Sequence, residues 1–295
     1  MARVEITHAD RVLFPEDGIT KGELVDYYTG IADAMLPHLR DRPLTLWRYP
    51  AGIDQKGFVQ QDFGDSLPDW LTGVEVDKES GGTVVHPVAD RRDALRWIAN
   101  QNCVTVHSWL SHRDDLHRPD RIVFDLDPSG DDFAEVKASA RAVADVLDDL
   151  GLKAYVQTTG SRGLHVVTPI RAEHDFDEVR QFAREVADLV VADAPDHRTV
   201  EVRKNKRGGR VYLDVMRNAY AQTAVAPYAV RATPGAPAAT PLEWDELGRR
   251  GLRADRFTIR DLPKRVAERG DPWSQMNRHA RTLSRPLQRL AKLHA

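Results

Sequence analysis

The chain has 295 residues, 41% of them hydrophobic, and a formal net charge of −3 at pH 7. This length suits one large α/β domain or two tightly joined lobes, and the small negative charge excludes a general attraction to nucleic acid, so any such binding must be local. The single cysteine, Cys103, excludes an internal disulfide; without an apolar leader or a run of eighteen apolar residues, a cytoplasmic protein with no membrane span is expected.

The first hundred residues predict an α/β lobe. Thr20 and Glu23 form a capping box, and apolar residues at helical spacing follow until Pro37, where the helix should end. The elements predicted after it are strands within 42–63, a hairpin within 73–88, a short helix over 93–102 and a strand with Val104 and Val106 on one face.

From residue 121 onward the periodicity predicts a more regular unit. Residues 122–127 form an apolar strand closed by Pro128, and residues 133–150 form an amphipathic helix that ends at Gly151. The elements that follow are strands over 153–158 and 164–170, a helix over 176–191 capped by Asp175 and Glu178, and a hairpin of strands 199–204 and 210–216 over Gly208-Gly209.

The order β-α-β-β-α-β-β resembles the split βαβ plan of RNA-recognition-type (RRM-like) sheets, in which helices cover one face and leave the other free for a ligand. We therefore predict an α+β fold, with helices packed on an RRM-like sheet and an N-terminal α/β lobe. The predicted single domain, 1–295, consists of the lobe (1–118), the core (119–231), and a linker and C-terminal helical segment packed on the core (232–295). The Pro- and Ala-rich residues 232–241 are expected to wrap the surface rather than join a core.

Two segments are locally basic in this nearly neutral chain. Residues 198–210 contain six basic side chains and one acidic side chain, and the tail 264–292 contains eight basic residues beside Glu268 and Asp271. Each is typical either of a local nucleic-acid contact or of a solvated element. We interpret the tail as an ordinary surface helix.

Two carboxylates end the apolar strand 122–127. Asp125 and Asp127 are two residues apart, so both project from one face while Phe124 and Leu126 enter the core. Their mutual repulsion is relieved when a cation lies between them, and hard cations such as Mg²⁺ or Mn²⁺ prefer such oxygen ligands. The alternative is a strand end with two solvated acids.

The turn from Thr159 to Gly163 joins two predicted strands. Its backbone N–H groups, its hydroxyls and Arg162 can cradle a phosphate, although the Walker pattern is absent. A simple hairpin turn is the alternative, and His165 beside it is either structural or part of the same site.

Asp214 and His107 are two further polar residues on apolar strands. A buried acid needs a partner, and for Asp214 a third place in a metal site and an ion pair with Arg210 or Arg217 fit the spacing equally well. His107 either touches a ligand or caps a sheet edge. Zinc is excluded because Cys103 and His107 have no second Cys/His pair at suitable spacing.

Taken together, these motifs resemble the archaeo-eukaryotic primase superfamily, and more narrowly the polymerase domain of bacterial DNA ligase D and its stand-alone primase-polymerase relatives. The resemblance extends over nearly the whole chain. Its markers are, in order, Thr20-Lys21, Asp26-Tyr27-Tyr28, Leu36-Pro37-His38-Leu39, Asp41-Arg42-Pro43, His107-Ser108-Trp109, Pro119 to Pro128, Gly160 to His165, Leu213-Asp214, Asn218, Gln222-Thr223, Pro227-Tyr228 and Val230-Arg231.

This resemblance implies roles for the site residues. Asp125, Asp127 and Asp214 are the implied catalytic and metal-binding triad for two divalent ions, Mn²⁺ or Mg²⁺. The implied nucleotide-binding residues are His107, Thr159, Ser161, Arg162, His165, Arg231 and Arg48, and the implied template contact is Phe58. The residues implied to bind a DNA 5′-phosphate are His8, Arg11 and Lys21, the last in the first turn of a helix, where anions are attracted.

The sequence departs from the family pattern at several positions. Thr159 and Arg162 replace the usual Ser and Lys and keep the donor chemistry. Gln61 replaces a usual Lys, and the usual aromatic pair has become Phe58-Val59. Template stacking and phosphate binding near Phe58 are therefore expected to be weaker.

The implied activity is template-dependent nucleotidyl transfer, which adds a nucleotide to a primer 3′-hydroxyl on gapped or broken DNA with two divalent metals, in DNA break or gap repair. The implied partners are DNA with a 5′-phosphorylated gap or end and NTP or dNTP, with Ku and a separate DNA ligase as candidate protein partners and a nucleoid-associated location. Two rival functions stay open: a non-catalytic module that binds and bridges DNA ends through the 5′-phosphate, and a metal phosphodiesterase.

Overall fold

The computed structural model describes residues 4–78, 81–130 and 133–293. The elements of the first part are β1 (Val12–Phe14), β2 (Ile19–Thr20), α1 (Lys21–Gly30), α2 (Ala32–Leu39), β3 (Leu44–Arg48), β4 (Phe58–Gln60), β5 (Gly73–Asp77), β6 (Thr83–Pro87), α3 (Arg92–Asn100), β7 (Cys103–Trp109), β8 (Ser111–His112) and β9 (Asp115–Pro119). Those of the second part are β10 (Arg121–Asp127), α4 (Phe133–Asp149), β11 (Tyr155–Thr158), β12 (Leu164–Pro169), α5 (Phe176–Asp193), β13 (Arg198–Thr199), β14 (Val211–Asp214), β15 (Thr223–Val225), β16 (Thr240–Leu242), α6 (Leu262–Arg269) and α7 (Ser284–Leu293). No helix within the described ranges has the length and apolar character needed to cross a membrane.

The predicted opening helix is confirmed at its start but is interrupted further along. Thr20 caps α1, and reciprocal hydrogen bonds between Thr20 and Glu23 form the predicted capping box. The prediction that Pro37 ends the helix is wrong, because α1 already ends at Gly30 and Pro37 lies in the last turn of α2. Glycine is a weak helix former, which favours the end of α1 at Gly30, and Pro37 removes one hydrogen bond from α2 without ending it.

The helices α1, α2 and α3 share one hydrophobic core with the sheet β15-β7-β3-β4. Leu46, Val104 and Val106 point into this core, as the alternation along β7 predicts. The opposite face of the sheet carries His107 and Val225, which are direct neighbours across β7 and β15. This second face is the one that meets the central sheet.

The central sheet has the strand order β13-β14-β10-β12-β11-β16, and all its pairs except β13–β14 are antiparallel. α4 and α5 pack together on one face, where Phe124, Leu126 and Val166 are buried. The predicted α+β fold is thereby confirmed. The other face is only partly free, since Trp273 and Met276 from the C-terminal segment cover a portion of it.

The hairpin predicted between 199–204 and 210–216 is wrong. β13 runs parallel to β14, and the connection between them contains a short 3₁₀ turn at Lys204–Lys206. Arg207 holds this connection back on the sheet: its guanidinium stacks 3.8 Å from the Tyr212 ring centroid and donates to the carbonyls of Glu201 and Val202. These contacts between side chain and backbone are not visible in the strand periodicity.

The segment 232–241 joins the core, so the prediction of a surface-wrapping linker is wrong. Ala236, Ala238 and Ala239 are fully buried, and β16 extends the central sheet beside β11. The backbone N–H groups of Ala238 and Ala239 donate to the carbonyls of Phe257 and Ala229. Small side chains and a satisfied backbone allow this Pro- and Ala-rich segment to be buried.

Each of the two large sheets combines strands from two of the predicted segments. β15, from the predicted core, belongs to the sheet of the predicted N-terminal lobe, and β16, from the predicted linker, belongs to the central sheet. The basic tail forms two helices rather than one, and its Arg265 forms a buried ion pair with Glu246. The two sheets are thus tied together at the place where the polar faces meet.

Candidate active site

Ten side chains from both sheets and their connections surround one cavity, which we call the central cavity. Its lining residues are His107, Asp125, Asp127, Thr159, Ser161, Arg162, His165, Arg217, Val225 and Arg231. Eight of these, all except Arg217 and Val225, are predicted above to bind metal or nucleotide. Residues distant in sequence therefore converge as the resemblance implies.

A row of polar side chains crosses the central sheet. Asp125 lies opposite Asp214 on β14 and opposite His165 on β12, and His165 lies opposite Gln157 on β11. Directly opposed residues of antiparallel strands share one face, and Asp127, two residues beyond Asp125, projects from the same face. The predicted same-face arrangement of Asp125 and Asp127 is confirmed.

Asp125 is buried and is contacted by two basic side chains. Arg217 Nε donates to its Oδ2 over 3.2 Å, and His165 Nε2 lies 3.4 Å from its Oδ1. Burial acts to raise the pKa of Asp125, but the charges and hydrogen bonds of His165 and Arg217 outweigh it and lower that pKa to about 2. Gln157 Nε2 lies 3.3 Å from His165 Nδ1 and so holds the ring with Nε2 directed at Asp125.

Asp127 experiences the opposite balance. Burial raises the pKa of Asp127 to about 6, the negative charges of Asp125 and Asp214 act in the same direction, and His165 and Arg217 only partly oppose them. Two neighbouring carboxyl groups therefore have pKa values shifted in opposite directions. The positive charges near Asp127 are therefore too few to balance the negative charges of the three carboxylates.

Asp214 has hydrogen-bond donors from its own strand end. Its Oδ1 accepts from the Met216 backbone N–H at 2.8 Å and from the Tyr212 hydroxyl at 3.3 Å. The two arginines considered as its ion-pair partners make other contacts: Arg217 binds Asp125, and Arg210 donates to backbone carbonyls. The ion-pair explanation for Asp214 is therefore wrong within the described part of the chain.

The three carboxylates are the ligand type that divalent cations prefer, but they are not arranged as a ready metal site. Among residues 4–78, 81–130 and 133–293, no group of three His, Cys, Asp or Glu side chains stands ready to hold a metal. Arg217 also occupies one carboxylate oxygen of Asp125. Nevertheless, three carboxylates on adjoining strand positions, with uncompensated negative charge at Asp127, are the donor set that hard cations prefer.

The turn after β11 is fixed by its glycines. A Cβ on Gly163 would lie 2.2 Å from the Leu126 carbonyl oxygen, and Gly160 adopts φ +67° with Ala238 and Arg231 close by. The Thr159 hydroxyl bonds to both the carbonyl and the N–H of Gly163, so it organises the turn from within. Ser161 and Arg162 are then left to face the cavity.

The charge of Arg231 is not balanced by any direct partner among the described residues. Its guanidinium has no hydrogen-bond or ion-pair partner among the described residues, and burial lowers its pKa. His107 Nδ1 lies 3.3 Å from the Thr223 hydroxyl, and burial together with the charges of Arg231 and Arg217 lowers the pKa of His107 to about 3. The cavity thus presents an unpaired cation and a neutral imidazole next to a carboxylate cluster.

Comparison with known proteins identifies the family. The family model described as "LigD, primase-polymerase domain" matches residues 20–273. The chain belongs to this family. The predicted enzyme class, a primase-polymerase, is confirmed at the level of the family.

Two curated relatives and one solved structure illustrate the similarity. The multifunctional non-homologous end joining protein LigD of Mycolicibacterium smegmatis is 36% identical over 272 residues, which are 91% of this chain and 35% of that protein. LigD of Pseudomonas aeruginosa is 30% identical over 277 residues, 92% of this chain and 33% of that protein. The polymerase domain of Mycobacterium tuberculosis ligase D in complex with DNA has a TM-score of 0.88 and 34% identity, covering 95% of this chain and 100% of that one. The chain thus spans about a third of the length of these curated LigD relatives.

In this LigD primase-polymerase family member, the predicted 5′-phosphate residues lie apart from the central cavity. Lys21 is buried, and its Nζ donates to the Thr7 hydroxyl at 3.2 Å; burial and then the charges of Arg11 and Arg48 lower its pKa. Arg11 donates to the Pro50 carbonyl. His8 is exposed, with φ +50° in the turn before β1.

Two predicted residues are not brought to the cavity. Arg48 is predicted to bind nucleotide, but it donates to the Gln101 carbonyl and acts electrostatically on Lys21, so it belongs with Lys21 and Arg11. Phe58 lies beside Arg48, 5.4 Å from its guanidinium, rather than near the cavity. We call Arg11, Lys21 and Arg48 the N-terminal basic cluster.

Arg217 and Val225 are cavity residues that sequence reasoning did not place there. The spacing indicates Arg217 only as a partner for Asp214, and the available signal is its position three residues after a strand carboxylate. Val225 carries no chemical signal, since it reaches the cavity only because β15 pairs with β7 beside His107.

Proposed function

We propose that the chain catalyses template-dependent nucleotidyl transfer, adding NTP or dNTP to a primer 3′-hydroxyl on gapped or broken DNA in break or gap repair. The observation that carries this proposal is the Arg231 guanidinium, which has no partner among the described residues and lies in the same cavity as Asp125 and Asp127. Carboxylates suit divalent cations, and a free guanidinium suits phosphate oxygens. The LigD relatives, named as end-joining proteins, and the DNA-bound polymerase domain support the same function.

Asp125, Asp127 and Asp214 would hold two divalent ions, Mn²⁺ or Mg²⁺. When bound, such ions lower the pKa of an attacking hydroxyl and neutralise charge on the leaving pyrophosphate. The protein's own contribution is to orient the carboxylates: His165 directs a proton at Asp125, and Gln157 fixes the His165 ring. Arg217 supplies positive charge at Asp125, one of the carboxylates that would hold a cation.

The opposite wall of the cavity would hold the triphosphate. Arg231 supplies a full charge, and Arg162 and the Ser161 hydroxyl supply further donors from a turn that Thr159 and the glycines hold rigid. His107, whose lowered pKa keeps it neutral near pH 7, can donate or accept a hydrogen bond without adding charge. We place nucleotide contacts on these residues and on His165.

The rest of the proposal concerns the nucleic acid. The central sheet would follow an RRM-like plan, with its polar face toward the cavity, where primer and nucleotide would meet. The N-terminal basic cluster, with His8, would bind the DNA 5′-phosphate, since Lys21 lies in the first turn of α1. Ku and a separate ligase are the proposed protein partners, and the nucleoid is the proposed site of action.

Primer extension tests the proposal directly. The substrate is a gapped duplex with a 5′-phosphate, supplied with NTP or dNTP and with Mn²⁺ or Mg²⁺. We expect template-directed addition to the primer 3′-end. Binding without any addition would favour the non-catalytic end-bridging module, which the separate N-terminal basic cluster could serve. Release of nucleotides without NTP would favour the phosphodiesterase.

A further inference from the structure

Trp47 and Val59 form an exposed apolar patch on the sheet β15-β7-β3-β4. The two residues are directly opposite each other across β3 and β4, and β4 is the edge strand. They leave 37% and 44% of their surfaces exposed. We call them the Trp47–Val59 patch. An open aromatic ring beside a nucleotide site is the arrangement with which proteins stack unpaired bases.

The patch is continuous with the central cavity. Thr45 lies opposite His107, and Trp47 lies opposite Thr105, so all four residues share one face of the sheet. The ring centroids of Trp47 and His107 are 5.9 Å apart. Because His107 lines the cavity, Trp47 stands immediately outside it.

Phe58, the other exposed aromatic residue of this sheet, points to the opposite face. It lies opposite Arg48, and the guanidinium of Arg48 already covers its ring at 5.4 Å. Phe58 is 46% exposed, so exposure alone does not distinguish it from Trp47. Strand register does, because only Trp47 is on the side of the cavity.

The position of Trp47 also indicates which part of the nucleic acid meets it. Trp47 precedes Arg48 in β3, and Arg48 belongs to the N-terminal basic cluster. A strand that contacts both the cluster and the cavity would therefore meet β3, where Arg48 and Trp47 are consecutive residues beside the edge strand β4. Trp47 is exposed beside the cavity, whereas Arg231, proposed above to hold the triphosphate, lines the cavity itself.

We propose that Trp47, supported by Val59, is the surface on which a template-strand base stacks next to the central cavity. This inference rests on the proposed function. It assigns template stacking to a residue on β3 and removes it from Phe58. Val59 supplies apolar contact but has no π-face, so Trp47 is the dominant member of the pair.

The test uses a gapped duplex with 2-aminopurine as the templating base, without NTP or metal. Trp47→Ala, Trp47→Phe and Phe58→Ala are compared with wild type, and Leu287→Ala, at a side chain that is 36% exposed on α7, serves as the matched control. We expect Trp47→Ala to abolish the quenching of 2-aminopurine and to weaken DNA binding about five- to hundredfold. Trp47→Phe should keep part of the quenching, and Leu287→Ala should behave as wild type.

Several outcomes would overturn the inference. The inference is overturned if Trp47→Ala quenches 2-aminopurine as strongly as wild type. It is also overturned if Phe58→Ala, and not Trp47→Ala, loses the quenching. Quenching that depends on added NTP would assign the ring to the incoming nucleotide and not to the template. The quenching assay contains no NTP and is therefore independent of primer extension. If the wild-type protein fails to extend primers but Trp47→Ala still loses quenching, only the proposed activity is refuted. Thermal unfolding of each variant separates these results from misfolding.

Discussion

Asp125 and Asp214 lie directly opposite each other on the neighbouring antiparallel strands β10 and β14. Like charges at directly opposed positions destabilise a sheet, and here Asp127 adds a third carboxyl group on the same face. Arg217 and His165 compensate Asp125, but the raised pKa of Asp127 shows that compensation is incomplete. This part of the sheet is therefore arranged for a ligand rather than for stability.

Removing one charge should stabilise the fold. In Asp214→Asn the side-chain oxygen can still accept from the Met216 N–H, while its repulsion with Asp125 disappears. We expect the free energy of unfolding to rise by about 0.2–1 kcal/mol while primer extension falls. Thermal unfolding checks this, with Asp148→Asn on the exposed surface of α4 as the control. A clear fall in stability for Asp214→Asn would contradict the arrangement described.

Arg231 should govern nucleotide affinity. Because its guanidinium is unpaired among the described residues, Arg231→Gln removes no internal ion pair, and the loss should fall on the bound anion. A hydrogen bond to a charged group contributes about 1.5–3 kcal/mol, so NTP binding should weaken about tenfold or more. Titration with a nonhydrolysable NTP measures this. Arg184→Gln, which alters an exposed ion pair on α5, should bind as wild type.

Gly163 should be irreplaceable. Alanine there would bring Cβ to 2.2 Å from the Leu126 carbonyl oxygen, a backbone atom that cannot move without distorting β10. We expect Gly163→Ala to destabilise the fold by about 1–3 kcal/mol and to reduce activity, because the turn carrying Ser161 and Arg162 must shift. Gly248→Ala is the matched control, since nothing lies within 4 Å of its Cβ position. Equal stability of the two variants would refute the packing argument.

Low pH should destabilise the fold by protonating Asp120. Arg42 Nη2 bonds both of its carboxylate oxygens, at 2.6 and 2.7 Å, and Arg42 is buried. Burial opposes ionisation, but the charges of Arg42 and Arg121 and the hydrogen bond from His112 hold the pKa of Asp120 well below its ordinary range. Because the native pKa is depressed, this stabilisation is complete above the unfolded pKa of about 3.9 and is lost as the pH falls below it.

The corresponding variant is Asp120→Asn, which leaves Arg42 buried without its counter-ion. We expect a loss of about 3–5 kcal/mol at pH 7, and the difference from wild type should shrink as the pH falls below 4. Denaturant unfolding from pH 7 to pH 3 measures both. A difference that is independent of pH would show that Asp120 does not act through its charge.

Much of the site follows from local sequence patterns. Alternation along 122–127 predicts the common face of Asp125 and Asp127, and the glycines at 160 and 163 predict a tight turn. These features depend on backbone geometry within a few residues. The gathering of Asp214, His107 and Arg231 is implied only by the family resemblance, since no local pattern brings them together.

The features that sequence did not predict depend on tertiary neighbours. Residues 232–241 have a linker's composition, and their burial depends on backbone hydrogen bonds to Ala229, which precedes the segment, and to Phe257, which follows it. Trp47 and Phe58 are indistinguishable by composition, and only the register of β3 with β4 and β7 sets the face that each occupies. Arg217 likewise donates to Asp125, on the neighbouring strand, and not to Asp214, three residues before it, a contact that the spacing along the chain does not indicate.

The most direct measurement of the central claim is single-nucleotide primer extension by Asp127→Ala on a 5′-phosphorylated gapped duplex with Mn²⁺. Asp127 lines the central cavity, and alanine relieves the unfavourable burial of its carboxyl group, so the fold should survive. We predict a rate at least about a hundredfold below wild type, because loss of a group that merely supports a metal ligand already lowers activity by up to about a hundredfold. The control Asp148→Ala should extend primers at the wild-type rate. Extension by Asp127→Ala at the wild-type rate would contradict the proposal that these carboxylates perform nucleotidyl transfer.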